Sequence, residues 1–163
     1  MLSMWVIMMN IQTVSRIHRI AAVTAFLCVT TFFISTLIVE LTGSTNSIVL
    51  VKSLIVFPGL FILVPAIACA GATGFLMGKN KKGRIIDKKK KRMPFIAVNG
   101  LFILVPAAIF LNYRASTGVY DATFVAIQFI ELLIGATNAS LMFLNIKDGK
   151  KLTYKKRENH ASK

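Results

Sequence analysis

Gln128, Glu131, Gly135, Asn138, Met142 and Asn145 recur three and four residues apart in the stretch QFIELLIGATNASLMFLN. That spacing puts them on one face of a helix whose other positions are mostly Leu, Ile, Phe and Ala. The mean hydropathy is +0.68 and 55% of residues are hydrophobic, so the solvent around such a helix is lipid. The polar stripe then turns inward. It carries a carboxyl group, Glu131, about ten residues or roughly 15 Å from one end of the helix. An ionisable group at that depth is costly, which makes Glu131 a candidate proton-linked residue. The plainer reading is a hydrogen-bonded seam between helices.

His18 is the second candidate, since the other histidine, His160, lies in the C-terminal tail. It sits about a turn inside an apolar segment, where an imidazole either snorkels between headgroups or ligates a metal such as haem iron. Haem needs only an apolar slot between helices and one or two axial ligands. Met142 lies near the end of the last apolar segment and His18 near the start of the first. Antiparallel spans therefore bring the two to the same side at similar depth. A His18–Met142 pair in one protomer, or a His18 pair across a dimer, would serve haem b, with Asn138 and Asn99 as polar pocket residues. Asn99 otherwise bonds to a neighbouring helix. Glu40 and Lys52 flank the short connection LTGSTNS, and a hairpin there is expected to join them as an ion pair.

Four apolar stretches, 17–41, 47–78, 93–113 and 122–146, are each long enough to cross a bilayer, which takes roughly 20 residues. The expected fold is all-α, a polytopic four-transmembrane-helix bundle in a single domain. Three more apolar segments follow the first, which is too long for a secretory signal and is read as a retained span. Of the 20 Lys and Arg, nine lie in 79–92 and seven in 147–163. Both termini, the loop 79–92 and the tail 147–163 are therefore expected on the cytoplasmic side of a bacterial inner membrane, against anionic headgroups. Nucleic-acid binding is disfavoured, because the charge brackets membrane spans and has no aromatic interleaving. The Met-rich segment 1–13, with Trp5 as anchor, suits an interfacial position.

The octapeptide GLFILVPA occurs at 59–66 and again at 100–107. In oppositely directed spans the copies would meet at mid-depth, as in an inverted repeat. Pro58 and Pro65 are expected to kink the second span. Gly59, Ala66, Ala70 and Gly74 offer a small-residue face to a neighbour. In the first span Ala21, Ala25, Cys28, Thr31 and Ser35 share roughly the face of His18, with hydroxyls bonded to the preceding turn. Pro94 suits the first turn of the third span, and Asp121 suits the N-cap of the fourth. Cys28 and Cys69 lie in spans without a CxxC spacing and read as small core residues. The motifs GxSxG, HExxH and GxxxxGK[ST] are missing, and no His/Cys cluster suits zinc.

A histidine opening the first span, a lysine early in the next, and a basic run followed by RMPFIAVNG together resemble the small bacterial membrane proteins of the HemJ and CopD type. The matching positions are His18, Lys52, Arg92 and Asn99. HemJ proteins are haem-associated protoporphyrinogen oxidases and CopD-type proteins are linked to copper uptake. The Asn-Glu-x-Pro pattern of the former is not present, since Gly100 follows Asn99. The resemblance thus implies a small haem-binding membrane protein, and the expected role is electron transfer, as a homo-oligomer or within a membrane complex. A small proton-coupled transporter using Glu131, or an assembly subunit, is the alternative from the residues alone.

Overall fold

The computed structural model describes residues 11–79 and 83–161. The chain is helical over most of these segments: α1 Ile11–Thr42, α2 Thr45–Leu54, α3 Phe61–Gly78, α4 Arg84–Val98, α5 Val105–Ser116 and α6 Ala122–Ala161. The segment Ile55–Leu60, kinked at Phe57, joins α2 to α3, and a π-helical turn, Asn99–Leu104, joins α4 to α5. Four continuous rods result, and each is long and apolar enough to cross a membrane: Gln12–Thr42, Thr45–Gly78, Arg84–Ser116 and Ala122–Leu152. They match the four expected spans and fit an integral membrane protein. The interfacial segment expected at 1–13 lies outside the described residues up to residue 10, and α1 begins at Ile11.

The rods run further at one end than the apolar pattern suggests. The segment 79–92 is expected as a solvated loop, yet α4 already starts at Arg84 and α6 runs on through the basic tail. Lys and Arg are good helix formers, and the Arg92 guanidinium donates to Asp148 at 2.8 Å, tying the two extensions together. The chain turns at Gly83, whose φ of 140° suits glycine alone. Its carbonyl accepts from the Asp87 amide at 2.9 Å, and Asp87 adds a negative charge to the helix start. Pro94 consequently lies inside α4 and not in its first turn.

At the opposite, neutral end the connections are short. Ser44 caps α2 by accepting from the Ser47 amide. Asp121 caps α6 as expected, its carboxylate accepting from the Phe124 amide at 3.0 Å. The second rod breaks where a proline predicts it: Phe57, just before Pro58, leaves helical geometry at φ −137°, ψ 120°. Pro65 is accommodated within α3. The copies of GLFILVPA begin about halfway along antiparallel rods, the first in the kinked segment Ile55–Leu60 and the second in the π turn Asn99–Leu104.

Packing follows residue size. The core is built from Ala25 and Val29 of α1, Ile55, Leu60, Leu63 and Ile67 of the second rod, Ile96 and Ala108 of the third, and Met142 of α6. A smaller cluster of Leu111, Ala115 and Phe124 closes the neutral end. A methyl group added at Gly59 would sit 2.6 Å from the Phe32 ring, so glycine is what lets α1 approach there. Phe57, Phe61, Phe75, Phe102 and Phe129 point outward, the surface a lipid-facing bundle presents.

Candidate functional site

The polar stripe of α6 faces inward. Gln128, Gly135, Asn138 and Met142 are buried, Glu131 and Asn145 are half-buried, and Val125, Phe129, Leu133 and Phe143 between them are exposed. On α1 the buried face is Val14, Ala21, Ala25, Val29 and Thr36, with His18 beside it. Thr31 points outward instead, a register the Thr/Ser pattern misplaced. Ser35 does bond to the preceding turn, donating to the Phe32 carbonyl at 3.1 Å.

The stripe meets two different environments. Toward the neutral end Lys52 is fully buried, and its Nζ donates to Glu131 Oε2 at 2.7 Å. Gln128 Nε2 donates to the same oxygen at 3.2 Å. The ion pair therefore joins α2 to α6, and not Lys52 to Glu40 as the hairpin connection suggests. Lys52 shares the inward face of the second rod with Ile55, which aims its long side chain across the bundle. Glu40 remains within electrostatic reach of both Lys52 and Glu131. Its Oε1 and Gln128 Oε1 are buried without a hydrogen-bond partner among the described residues. Outside this layer, Arg114 donates to Asp121. That bond, with the Phe124 amide, holds the Asp121 carboxyl below its ordinary range. Burial pushes the Tyr120 phenol up, and the nearby charge of Glu40 adds to it.

At mid-depth Asn138 is completely buried and its Nδ2 donates to the Ile96 carbonyl at 3.2 Å. This ties α6 to the third rod just before its π turn. Asn99, also buried, opens that turn. Gly100 follows, close beneath Ile67 and Asn138.

Toward the basic end the rods part around a cavity of about 630 Å³. Its walls include Ala22, Ala25, Ile67, Gly71, Met93, Ile96 and Met142, and its rim carries Arg19, Lys89, Lys90 and Lys150. His18 stands in the wall. Its Nδ1 lies 3.0 Å from the Ala70 carbonyl and 3.1 Å from Thr73 Oγ1. The Thr73 hydroxyl donates to the Cys69 carbonyl, so Nδ1 carries the proton and donates to Ala70. In the neutral imidazole Nε2 is then the unprotonated nitrogen, and it has no hydrogen-bond partner among the described residues. Gly74 makes room for this arrangement, because a Cβ there would meet the Met93 terminus and come within 3.0 Å of the imidazole. His18 and Met142 thus line one cavity, as their spacing implies, and so does Asn145, whose Oδ1 is buried without a partner. Asn99 and Asn138 lie deeper and are not among its lining residues. Among the described residues no group of three or more His, Cys, Asp or Glu comes together.

From the sequence, Thr73 and Met93 have no assigned role within their spans, and Lys89 falls in the expected loop 79–92. A signal for the last two exists: Ile86, Lys89, Met93 and Ile96 repeat at helical spacing once the basic run is taken as helix. Thr73 carries no such mark; only the fold sets it opposite His18. No protein-family model, curated protein or solved structure matches the chain.

Proposed function

We propose that this protein is a small membrane haem protein whose basic-end cavity holds haem b, with His18 as iron ligand. The observation that carries the reading is the His18 imidazole. It is oriented through Nδ1 by a backbone carbonyl, as ligating histidines are, and stands in the wall of a cavity of about 630 Å³. Cofactor pockets have about this size and a mainly apolar lining. The donor set fits the group. His18 offers a neutral nitrogen and Met142 a thioether, a combination that serves cytochromes. Arg19, Lys89 and Lys150 at the rim supply positive charge for two carboxylate side chains, and Asn145 offers a free acceptor nearby. Bound haem would supply a one-electron couple. The residues would exclude water, set the ligand and neutralise the propionates.

On this reading the protein sits in a bacterial inner membrane, its basic extensions against anionic headgroups. It passes electrons as a homo-oligomer or within a membrane complex. Proton-coupled transport is the second reading, and the buried Lys52–Glu131 pair favours it.

The test is an absorption spectrum of the detergent-purified protein, oxidised and dithionite-reduced. A Soret band with sharp reduced α and β bands is expected, lost or strongly shifted in His18→Ala and altered in Met142→Ala. Colourless protein from haem-replete cells, or a Soret band unaffected by His18→Ala, overturns the reading.

A further inference from the structure

We propose that Glu40, Lys52, Gln128 and Glu131 form a proton-binding site at the neutral end, which holds one proton per molecule and exchanges it through Glu40 with the aqueous phase on that side. It stands independently of the haem reading.

The starting point is charge. Glu131 of α6 is bonded to the single ammonium group of Lys52 from α2, and Glu40 of α1, one of whose oxygens is buried and unpartnered, lies within electrostatic reach of both. With all three ionised, the site carries a net charge of −1 in apolar surroundings, an arrangement that hydrocarbon penalises. One proton taken from water onto a carboxylate oxygen brings the site to neutrality and leaves the other carboxylate paired with Lys52. No neighbouring group does this instead. Arg114 on α5 is already committed to Asp121, Tyr120 donates its hydroxyl to the Ala115 carbonyl, and Asn112 accepts from Ser53.

Hydrogen bonding adds a second, independent observation. Gln128 is 6% exposed, its amide nitrogen is fixed on Glu131, and its carbonyl oxygen is left without a partner. Glu40 Oε1 is likewise buried and unpartnered. Lys52 has three N–H donors and uses one on Glu131. Buried polar atoms are normally satisfied. A site with unfilled acceptors and spare donors around two carboxyls suits a proton, with water to relay it.

The site opens one way. Glu40 lies half a turn from the end of α1, next to the loop that carries Tyr120, whereas Glu131 lies deeper. Apart from Glu131 and the buried Thr36, the recess is lined by apolar residues and Gly135, among them Val29, Phe32, Phe33, Leu63, Leu104 and Leu132. Such a lining offers a proton no path toward the basic end.

Infrared spectroscopy of the full-length protein in detergent tests this, read at the C=O stretch of protonated carboxyl groups. At neutral pH the wild type should show one protonated carboxyl per molecule. The six acidic residues of the chain include only these two in the site. Glu40→Gln and Glu131→Gln should each abolish the band, because one remaining acid then faces one lysine. Lys52→Met should double it. A folded wild type with no protonated carboxyl at neutral pH overturns the proposal, as does a band that survives both glutamine substitutions. The glutamine variants keep the test decisive should Lys52→Met fail to fold.

Discussion

The two ends of this bundle solve opposite problems with the same α6 face. At the basic end there is volume: an imidazole, three thioethers and a half-buried amide around about 630 Å³, with cations at the rim. At the neutral end there is pairing without volume: a fully buried lysine, a carboxylate at 2.7 Å and an amide at 3.2 Å. The first arrangement is costly to leave empty and cheap to alter. The second needs no ligand to hold together, and is expensive to break because removing one partner strands a charge. A stability map of the protein should therefore be steep at the neutral end and shallow at the basic end, while ligand binding should follow the reverse gradient.

Removing Lys52 gives the sharpest contrast. Lys52→Met leaves Glu131 without its cation in a buried site, so that it must take up a proton there, and breaking a buried ion pair costs about 3–5 kcal/mol. The double variant Lys52→Met/Glu131→Gln removes both charges and should recover most of that loss. A thermal-unfolding cycle in detergent measures it. Additive destabilisation, with no recovery in the double variant, would show that the pair is not what holds α2 to α6. His18→Ala, by contrast, should leave the melting temperature of pigment-free protein nearly unchanged.

Two glycines, one in α3 and one in the kinked segment before it, test the same gradient by volume. A Cβ at Gly59 meets the Phe32 ring at 2.6 Å and the Leu54 carbonyl oxygen at 2.9 Å. Neither is a flexible chain end, so Gly59→Ala should destabilise by about 1–3 kcal/mol through overpacking. A Cβ at Gly74 meets the Met93 terminus, but a methionine end moves readily. Gly74→Ala should cost under about 1 kcal/mol and instead crowd His18, weakening pigment binding. Equal stability losses at the two positions, measured by unfolding, would erase the distinction.

The four rods were legible because lipid imposes a simple rule, an apolar run of sufficient length, and the inward stripe followed from helical spacing alone. What the spacing left open was rotation and partner choice. Lys52 sits two turns from Glu40 in the hairpin, but the inward face of α2 directs it to Glu131 on a distant helix, which local sequence does not encode. Thr31 was misplaced for the same reason, since a rotation of a third of a turn separates it from the buried face. The helical extensions at the basic end were hidden by a composition that reads equally as solvated coil; Arg92 and Asp148, far apart in the chain, fix the outcome. His18 and Met142 could be put at one depth by counting residues, whereas the Ala70 carbonyl that selects the imidazole tautomer emerges only from the packing of α1 on α3.

The smallest expected effect lies at the neutral surface, and it separates the paired interior from its exposed neighbour. Asp121 both caps α6 and pairs with Arg114. Asp121→Asn keeps a capping oxygen and removes the charge, while Asp121→Ala removes both, so Ala should lower the melting temperature more than Asn. The folded-state pKa of Asp121 is depressed, first by the Arg114 side chain and then by the Phe124 amide. Its charge therefore contributes stability above the unfolded value of about 3.9, and that contribution disappears as pH falls through the lower folded value. The difference between wild type and Asp121→Asn should thus be present at neutral pH, shrink below pH about 4 and shrink also with added salt, which screens an exposed pair. Melting curves across pH and ionic strength check this. A difference that persists in acid or resists salt would place Asp121 with the buried charges rather than outside them, and the contrast between a screened surface and an unscreened interior would have to be redrawn.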